Sequence, residues 1–115
     1  MKKIITLASV LFICAAVAQP RGVQVRGVGN ASCGEYLHDR SNLNKAQDAI
    51  YVSWVWGYIA GFNLEVQRPT SSELPDGYST LAYLDKYCRD HPLESVIEGG
   101  SALIRDLGGE RNSRK

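Results

Sequence analysis

Two histidines, three cysteines and a scatter of carboxylates are the residues of this chain that could do chemistry. His38-Asp39 and Asp90-His91 offer four ligands of the kind zinc accepts. Neighbouring residues on a helix point to different faces, however, and a helical ligand pair needs the i, i+4 spacing of one face. If a bond between Cys33 and Cys88 joins antiparallel first and third helices, His38 and His91 also fall on opposite sides of that link. The expectation is no metal site, with both histidines solvated or capping helix ends.

A cysteine nucleophile must be a thiolate, so it is lost if Cys33 and Cys88 are oxidised. A serine nucleophile on a strand-to-helix elbow needs G-x-S-x-G, which the sequence lacks. Glu65, Glu73 and Asp76 could supply a carboxylate pair for glycan cleavage, but nothing in the residues places one of them in apolar surroundings that would raise its pKa. We therefore expect no catalysis and no cofactor.

The N-terminus explains the cysteine count. Met1-Lys2-Lys3 precedes an apolar run from Ile4 to Ala18 that is too short for the roughly 20 residues a membrane span needs. The run ends in Ala16-Val17-Ala18, the small-x-small pattern of a signal-peptidase site, so residues 1–18 read as a signal peptide. A lipid anchor on Cys14 is the rival reading, disfavoured by the bulky Phe12-Ile13 before it. Cleavage leaves Cys33 and Cys88, an even pair in an oxidising compartment, which reads as a disulfide; two packed free thiols are the alternative. Closing the loop between them is worth about 4 kcal/mol of chain entropy. With Lys2 and Lys3 removed, 13 basic residues become 11 against 12 acidic ones, a net charge of −1. There is no basic stripe for nucleic acid and no membrane span after cleavage. The expected location is periplasmic or secreted.

The elements that would position these residues form one small all-α domain over residues 32–107. Residues 19–31 read as a flexible leader, with Val23-x-Val25 as a weak edge-strand alternative, and residues 108–115 read as a disordered tail. Ser32 with Glu35 is a capping box that opens a first helix, which stops near Ser41-Asn42. Asn44 caps a second, running to about Phe62 or Asn63. Ile50 to Phe62 carries no charge on any face, the mark of a helix buried at the centre of a bundle. One edge of that helix is small (Ala46, Ala49, Ser53, Gly57, Gly61) and the opposite edge is bulky (Tyr51, Val55, Tyr58, Phe62).

A loop from Glu65 to Tyr78 contains Pro69, Pro75 and Asp76-Gly77. A third helix caps at Ser79, with Tyr78 and Tyr83 spaced as a hydrophobic staple. Its inner face is Leu81, Leu84 and Cys88, and Asp85, Lys86 and Arg89 point outward. Pro92 reads as the first residue of a fourth helix that Gly108 stops. Gly99 and Gly100 inside it would be explained by close packing against Gly57 or Gly61. The expected architecture is a four-helix, bundle-like or orthogonal domain with one disulfide.

The stretches S-C-G-E-Y-L from Ser32, W-V-W-G-Y-I-A-G from Trp54 and Y-L-D-K-Y-C-R-D-H-P-L-E-S from Tyr83, with the ending A-L-I-R-D-L, resemble two groups of small periplasmic helical proteins. Cys33 and Cys88 are similar in plan to the cysteines of HdeA-type acid-stress chaperones. Gly57-Tyr58-Ile59-x-Gly61 and His91-Pro92 look like positions of Rap/Tai-type immunity proteins, which neutralise peptidoglycan-cleaving toxins, although the cysteines of that group usually sit elsewhere. The resemblance spans about residues 32–107 and rests mostly on core positions. It implies a binding partner that is another protein, either a toxin or acid-unfolded clients, and leaves a homodimer open. The longest break in the domain, with Arg68, Glu73, Asp76 and Tyr78, is the expected binding loop.

Overall fold

The structure, a computed structural model, describes residues 24–66 and 73–109. A 3-10 turn over Gly27–Asn30 precedes four helices: α1 (Cys33–Ser41), α2 (Lys45–Glu65), α3 (Gly77–Asp90) and α4 (Val96–Asp106). There is no strand among the described residues, and the one β-bridge, Ser32 with Ser95, is isolated. The all-α, four-helix reading with one disulfide is what the chain forms. The expected signal peptide lies outside the described residues, as do residues 110–115 of the expected tail.

Caps fix all four helix starts. The Ser32 hydroxyl accepts from the Glu35 amide at 3.1 Å, and Asn44 Oδ1 accepts from Ala46 and Gln47. Ser95 and Glu98 form a reciprocal capping box, which sets the start of α4 at Val96 rather than Pro92. His91 to Ser95 is the link before it, and Leu93 there is 97% exposed. α3, by contrast, is capped three residues before the expected Ser79. Asp76 is its cap, accepting from both the amide and the hydroxyl of Ser79 at 2.9 Å. A carboxylate is the stronger N-cap for the helix dipole. Tyr78 thus lies within the first turn and cannot form the expected staple.

The leader is not free along its whole length. Gly29 is buried against Trp54, whose indole N–H donates to the Arg26 carbonyl at 3.1 Å. The Val96 amide donates to Ala31 O and the Cys33 amide to Glu94 O, joining this segment to the link before α4. At the other end Gly108, at φ +85°, turns the chain out of α4, and the Gly109 amide closes on Ile104 O at 2.8 Å.

Tyr36, Tyr51, Val55, Ile59, Leu84 and Val96 are enclosed at the centre, drawn from all four helices. Cys33 at the start of α1 is bonded to Cys88 near the end of α3, with Cα atoms 4.8 Å apart and both residues fully buried. The bulky edge of α2 faces this core: Tyr51, Val55 and Phe62 are buried and Tyr58 is half-buried.

The small edge of α2 does the opposite of what was expected. Ala46, Ala49, Ser53, Gly57 and Gly61 are all exposed, and no atom would lie within 4 Å of a Cβ placed on Gly57 or Gly61. Gly99 and Gly100 are buried, but a Cβ on Gly99 would meet Leu84 and Tyr87, and one on Gly100 would meet Tyr58. The glycine-on-glycine contact therefore does not exist. α4 is admitted close to α2 and α3 by aromatic rings lying over its glycines. α2 is accordingly a one-sided helix whose outer face, from Ala46 to Leu64, is uncharged and has no partner among the described residues.

Candidate functional site

Two features of this frame carry polar or aromatic groups in an arrangement with consequences: a tyrosine–carboxylate cluster between the helices, and a groove between α2 and the start of α3. Tyr36 and Arg40 stand one turn apart on α1, so both reach α3. The Tyr36 hydroxyl donates to Asp85 Oδ1 at 2.8 Å and to Leu81 O at 3.2 Å. Arg40 Nε and Nη2 donate to the two oxygens of the same carboxylate at 3.0 and 3.1 Å, a bidentate fork. Arg40 Nη1 also lies 2.7 Å from Asp48 Oδ1 of α2, an ion pair rather than an aligned hydrogen bond. One guanidinium thus ties α1 to both α2 and α3. Asp85, expected to point outward, is a half-buried acceptor at this junction.

Three further tyrosines repeat the arrangement. Tyr51 of α2 donates to Asp39 of α1 at 2.8 Å, Tyr83 of α3 to Asp106 of α4 at 2.7 Å, and Tyr87 to Glu94 in the link before α4. Tyr36 and Tyr51 meet edge to face at 4.8 Å. Burial first, and then the carboxylate each bonds, push the Tyr36, Tyr51 and Tyr83 phenols far above their usual range. The hydrogen bond to Asp85 is the main cause that raises Arg40 still higher than an ordinary guanidinium.

Three of the four candidate metal ligands have other partners. Asp39 serves Tyr51, Asp90 pairs with Lys86 at 2.6 Å, and His91 stacks on Tyr87. Among the described residues no three His, Cys, Asp or Glu side chains gather as a metal site would require.

The groove has a volume of about 510 Å³. Ala49, Val52, Ser53 and Trp56 of α2 form one wall, and Tyr78 and Leu81 of α3 form the other. The Trp56 indole is fixed by its donation to Thr80 Oγ1 at 3.2 Å. Tyr78 is 86% exposed, an aromatic ring standing at the rim of the groove and uncovered by any described residue. Lys45, Asp48 and Asp76 place charges of both signs around the apolar floor.

Of the expected binding loop, Arg68 lies outside the described residues. Glu73 is exposed, and Asp76 is committed to capping α3 with its carboxyl held below the usual carboxylate range, chiefly by the Ser79 amide. Tyr78 is the member that reaches the groove. Sequence reasoning missed Trp56 as its companion and missed the Tyr36–Asp85–Arg40 junction. The i, i+4 pairing of Tyr36 with Arg40 was the available signal.

No described helix is long and apolar enough to cross a membrane. No family model, curated protein or solved structure matches this chain.

Proposed function

We propose that the chain is an exported module that works by binding another protein in the α2–α3 groove, as an immunity-type inhibitor of a cell-wall-degrading toxin. The observation that carries this is Tyr78, an uncovered aromatic beside an apolar groove, on a domain whose other tyrosines, Trp54 and Trp56 are all engaged with neighbouring residues. Tyrosine and tryptophan in such settings supply the anchors of protein interfaces, because they bury much area while losing few rotamers. The toxin class comes from the resemblance to Rap/Tai-type proteins and defines the assay. The disulfide-bonded protein is titrated into purified peptidoglycan sacculi together with secreted cell-wall hydrolases from the same organism. Stoichiometric loss of hydrolysis supports the reading, and undiminished hydrolysis by all of them removes it.

A second reading, an HdeA-like acid-stress chaperone, is favoured by one specific observation: tyrosine–carboxylate bonds close four junctions, namely α1–α3, α1–α2, α3–α4 and α3 with the following link. Protonating those carboxylates withdraws the charged acceptors and would loosen the bundle, exposing its aromatic core. Suppression of client aggregation near about pH 2–3 by the acid-loosened protein, with no effect on hydrolases at neutral pH, would select this role instead.

A further inference from the structure

We propose that the outer face of α2 is a self-association surface on which a second copy of the chain docks antiparallel, forming a reversible two-fold dimer. The face runs directly opposite the buried edge. Ala46, Ile50, Ser53, Gly57, Ala60 and Leu64 recur along it at alternating steps of four and three, and all are exposed, Ile50 by 50% and Leu64 by 89%. That is the 3.5-residue seam by which one helix lies along another, and it extends over a helix of 21 residues, about 31 Å long. No charged residue lies on the seam. Solvent-facing helix surfaces normally carry charge, and the core cannot account for its absence here, since this face does not touch the core.

The order of sizes along the seam identifies the occupant and its direction. Pairing two copies antiparallel about Val55 sets Ala46 against the partner's Leu64, Ile50 against the partner's Ala60, and Ser53 against the partner's Gly57. Every layer then joins a large residue to a small one, or two small ones at the centre, so the axes can stay at the short end of the 8–10 Å range throughout. A parallel pair would stack Ile50 on Ile50 and Leu64 on Leu64 with gaps at Gly57 and Ala60 between them, and no single spacing satisfies those layers. Charge agrees. α2 begins with Lys45 and its positive dipole end and finishes with Glu65 and its negative end, so antiparallel pairing puts opposite signs at each end and parallel pairing puts like signs together. The contact area of one helix face is on the order of 300 Å² per copy, well below the roughly 800 Å² of a standard stable interface, so the dimer is weak and reversible. The surface is separate from the Tyr78 groove, which shares only its Ser53 edge, and the inference does not rest on the function proposed above.

Sedimentation equilibrium of the disulfide-bonded protein from about 1 µM to about 1 mM tests it. The expected result is a reversible monomer–dimer equilibrium. Gly57→Lys should weaken it at least about tenfold by burying a charge at the two-fold centre, without lowering the melting temperature, since a Cβ there meets nothing and lysine favours the helix. Under mild oxidation, Ser53→Cys mixed with Gly57→Cys should cross-link better than either variant alone. A protein that stays monomeric throughout, a dimer indifferent to Gly57→Lys, or cross-linking strongest within each variant alone would each overturn the proposal. A monomer that instead binds anionic lipid vesicles through this face would overturn it in favour of a different occupant.

Discussion

A methyl group on Gly29 would sit 1.9 Å from Cζ2 of Trp54, so the 3-10 turn and α2 meet only because that residue has no side chain. The indole is itself held, stacked on Tyr58 at 5.5 Å and bonded to the Arg26 carbonyl. Gly29→Ala must therefore push the turn off the helix or turn the indole out. The expected loss is about 1–3 kcal/mol in chemical denaturation, with tryptophan emission shifted to the red. Gly57→Ala, on the open face of the same helix, should instead stabilise by up to about 1 kcal/mol. Equal effects of the two substitutions would contradict the placement of these glycines.

The bond between Cys33 and Cys88 closes most of the domain into one loop. Reduction, or the double substitution Cys33→Ala/Cys88→Ala, should lower stability by about 4 kcal/mol if the loop entropy is recovered in full. Urea unfolding with and without reductant measures it. A loss under about 1 kcal/mol would mean that the unfolded chain is already compact around this pair.

The alkaline limb follows from the tyrosines. In the folded protein Tyr36, Tyr51 and Tyr83 hold their protons far above the ordinary phenol value of 10.0, so the unfolded state releases protons first as pH rises. Their contribution is intact below pH 10 and is lost progressively above it. Absorbance at the phenolate band should show these three ionising together with loss of helix. Phenolates that form near the ordinary value in a still-folded protein would refute the hydrogen bonds assigned to them.

The acid limb has the opposite sign. Asp76 and Asp90 are held below 3.8, Asp76 mainly by the Ser79 amide and Asp90 mainly by Lys86, so they favour the fold above that value and stop doing so as pH falls through their folded values. Both are exposed, and the Lys86–Asp90 contribution should fade with salt. Asp76→Asn, which keeps a capping oxygen, should flatten the acid slope more than it lowers the neutral melting temperature. An unchanged acid slope would contradict the assignment of Asp76 as a carboxylate held ionised by the Ser79 amide.

What could be read from the sequence divides along physical lines. Ser32, Asn44 and the cysteine pair are local or countable signals, and each does in the structure what its type suggests. The starts of α3 and α4 slipped because two good signals compete within four residues: Asp76 against Ser79, and Pro92 against Ser95 with Glu98. In both places the cap with more bonds prevails. The outer face of α2 misled for a deeper reason. An uncharged helix face looks the same in sequence whether it is buried in its own core or left open, and only the position of the other three helices separates the two. Asp85 was assigned outward from its own helix alone, since nothing on α3 reveals that Tyr36 and Arg40 of α1 lack an acceptor. Tyr78 was legible as an exposed residue at the end of the long loop, but the groove beside it was not, because Trp56 and Val52 come to it from the preceding helix.

The most direct measurement of the central claim, that the α2–α3 groove holds a protein partner, is the inhibition constant against a cell-wall hydrolase that the sacculus assay finds inhibited, compared between wild type and Tyr78→Ala. Tyr78 is 86% exposed, so its removal leaves the fold intact, which circular dichroism verifies. An aromatic anchor at an interface is worth about 2 kcal/mol or more, so inhibition should weaken at least about 30-fold. Gly57→Lys, on the separate outer face of α2, should leave it unchanged. Inhibition by Tyr78→Ala equal to that of wild type, or no inhibition of any cell-wall hydrolase by the wild-type protein, would contradict the account.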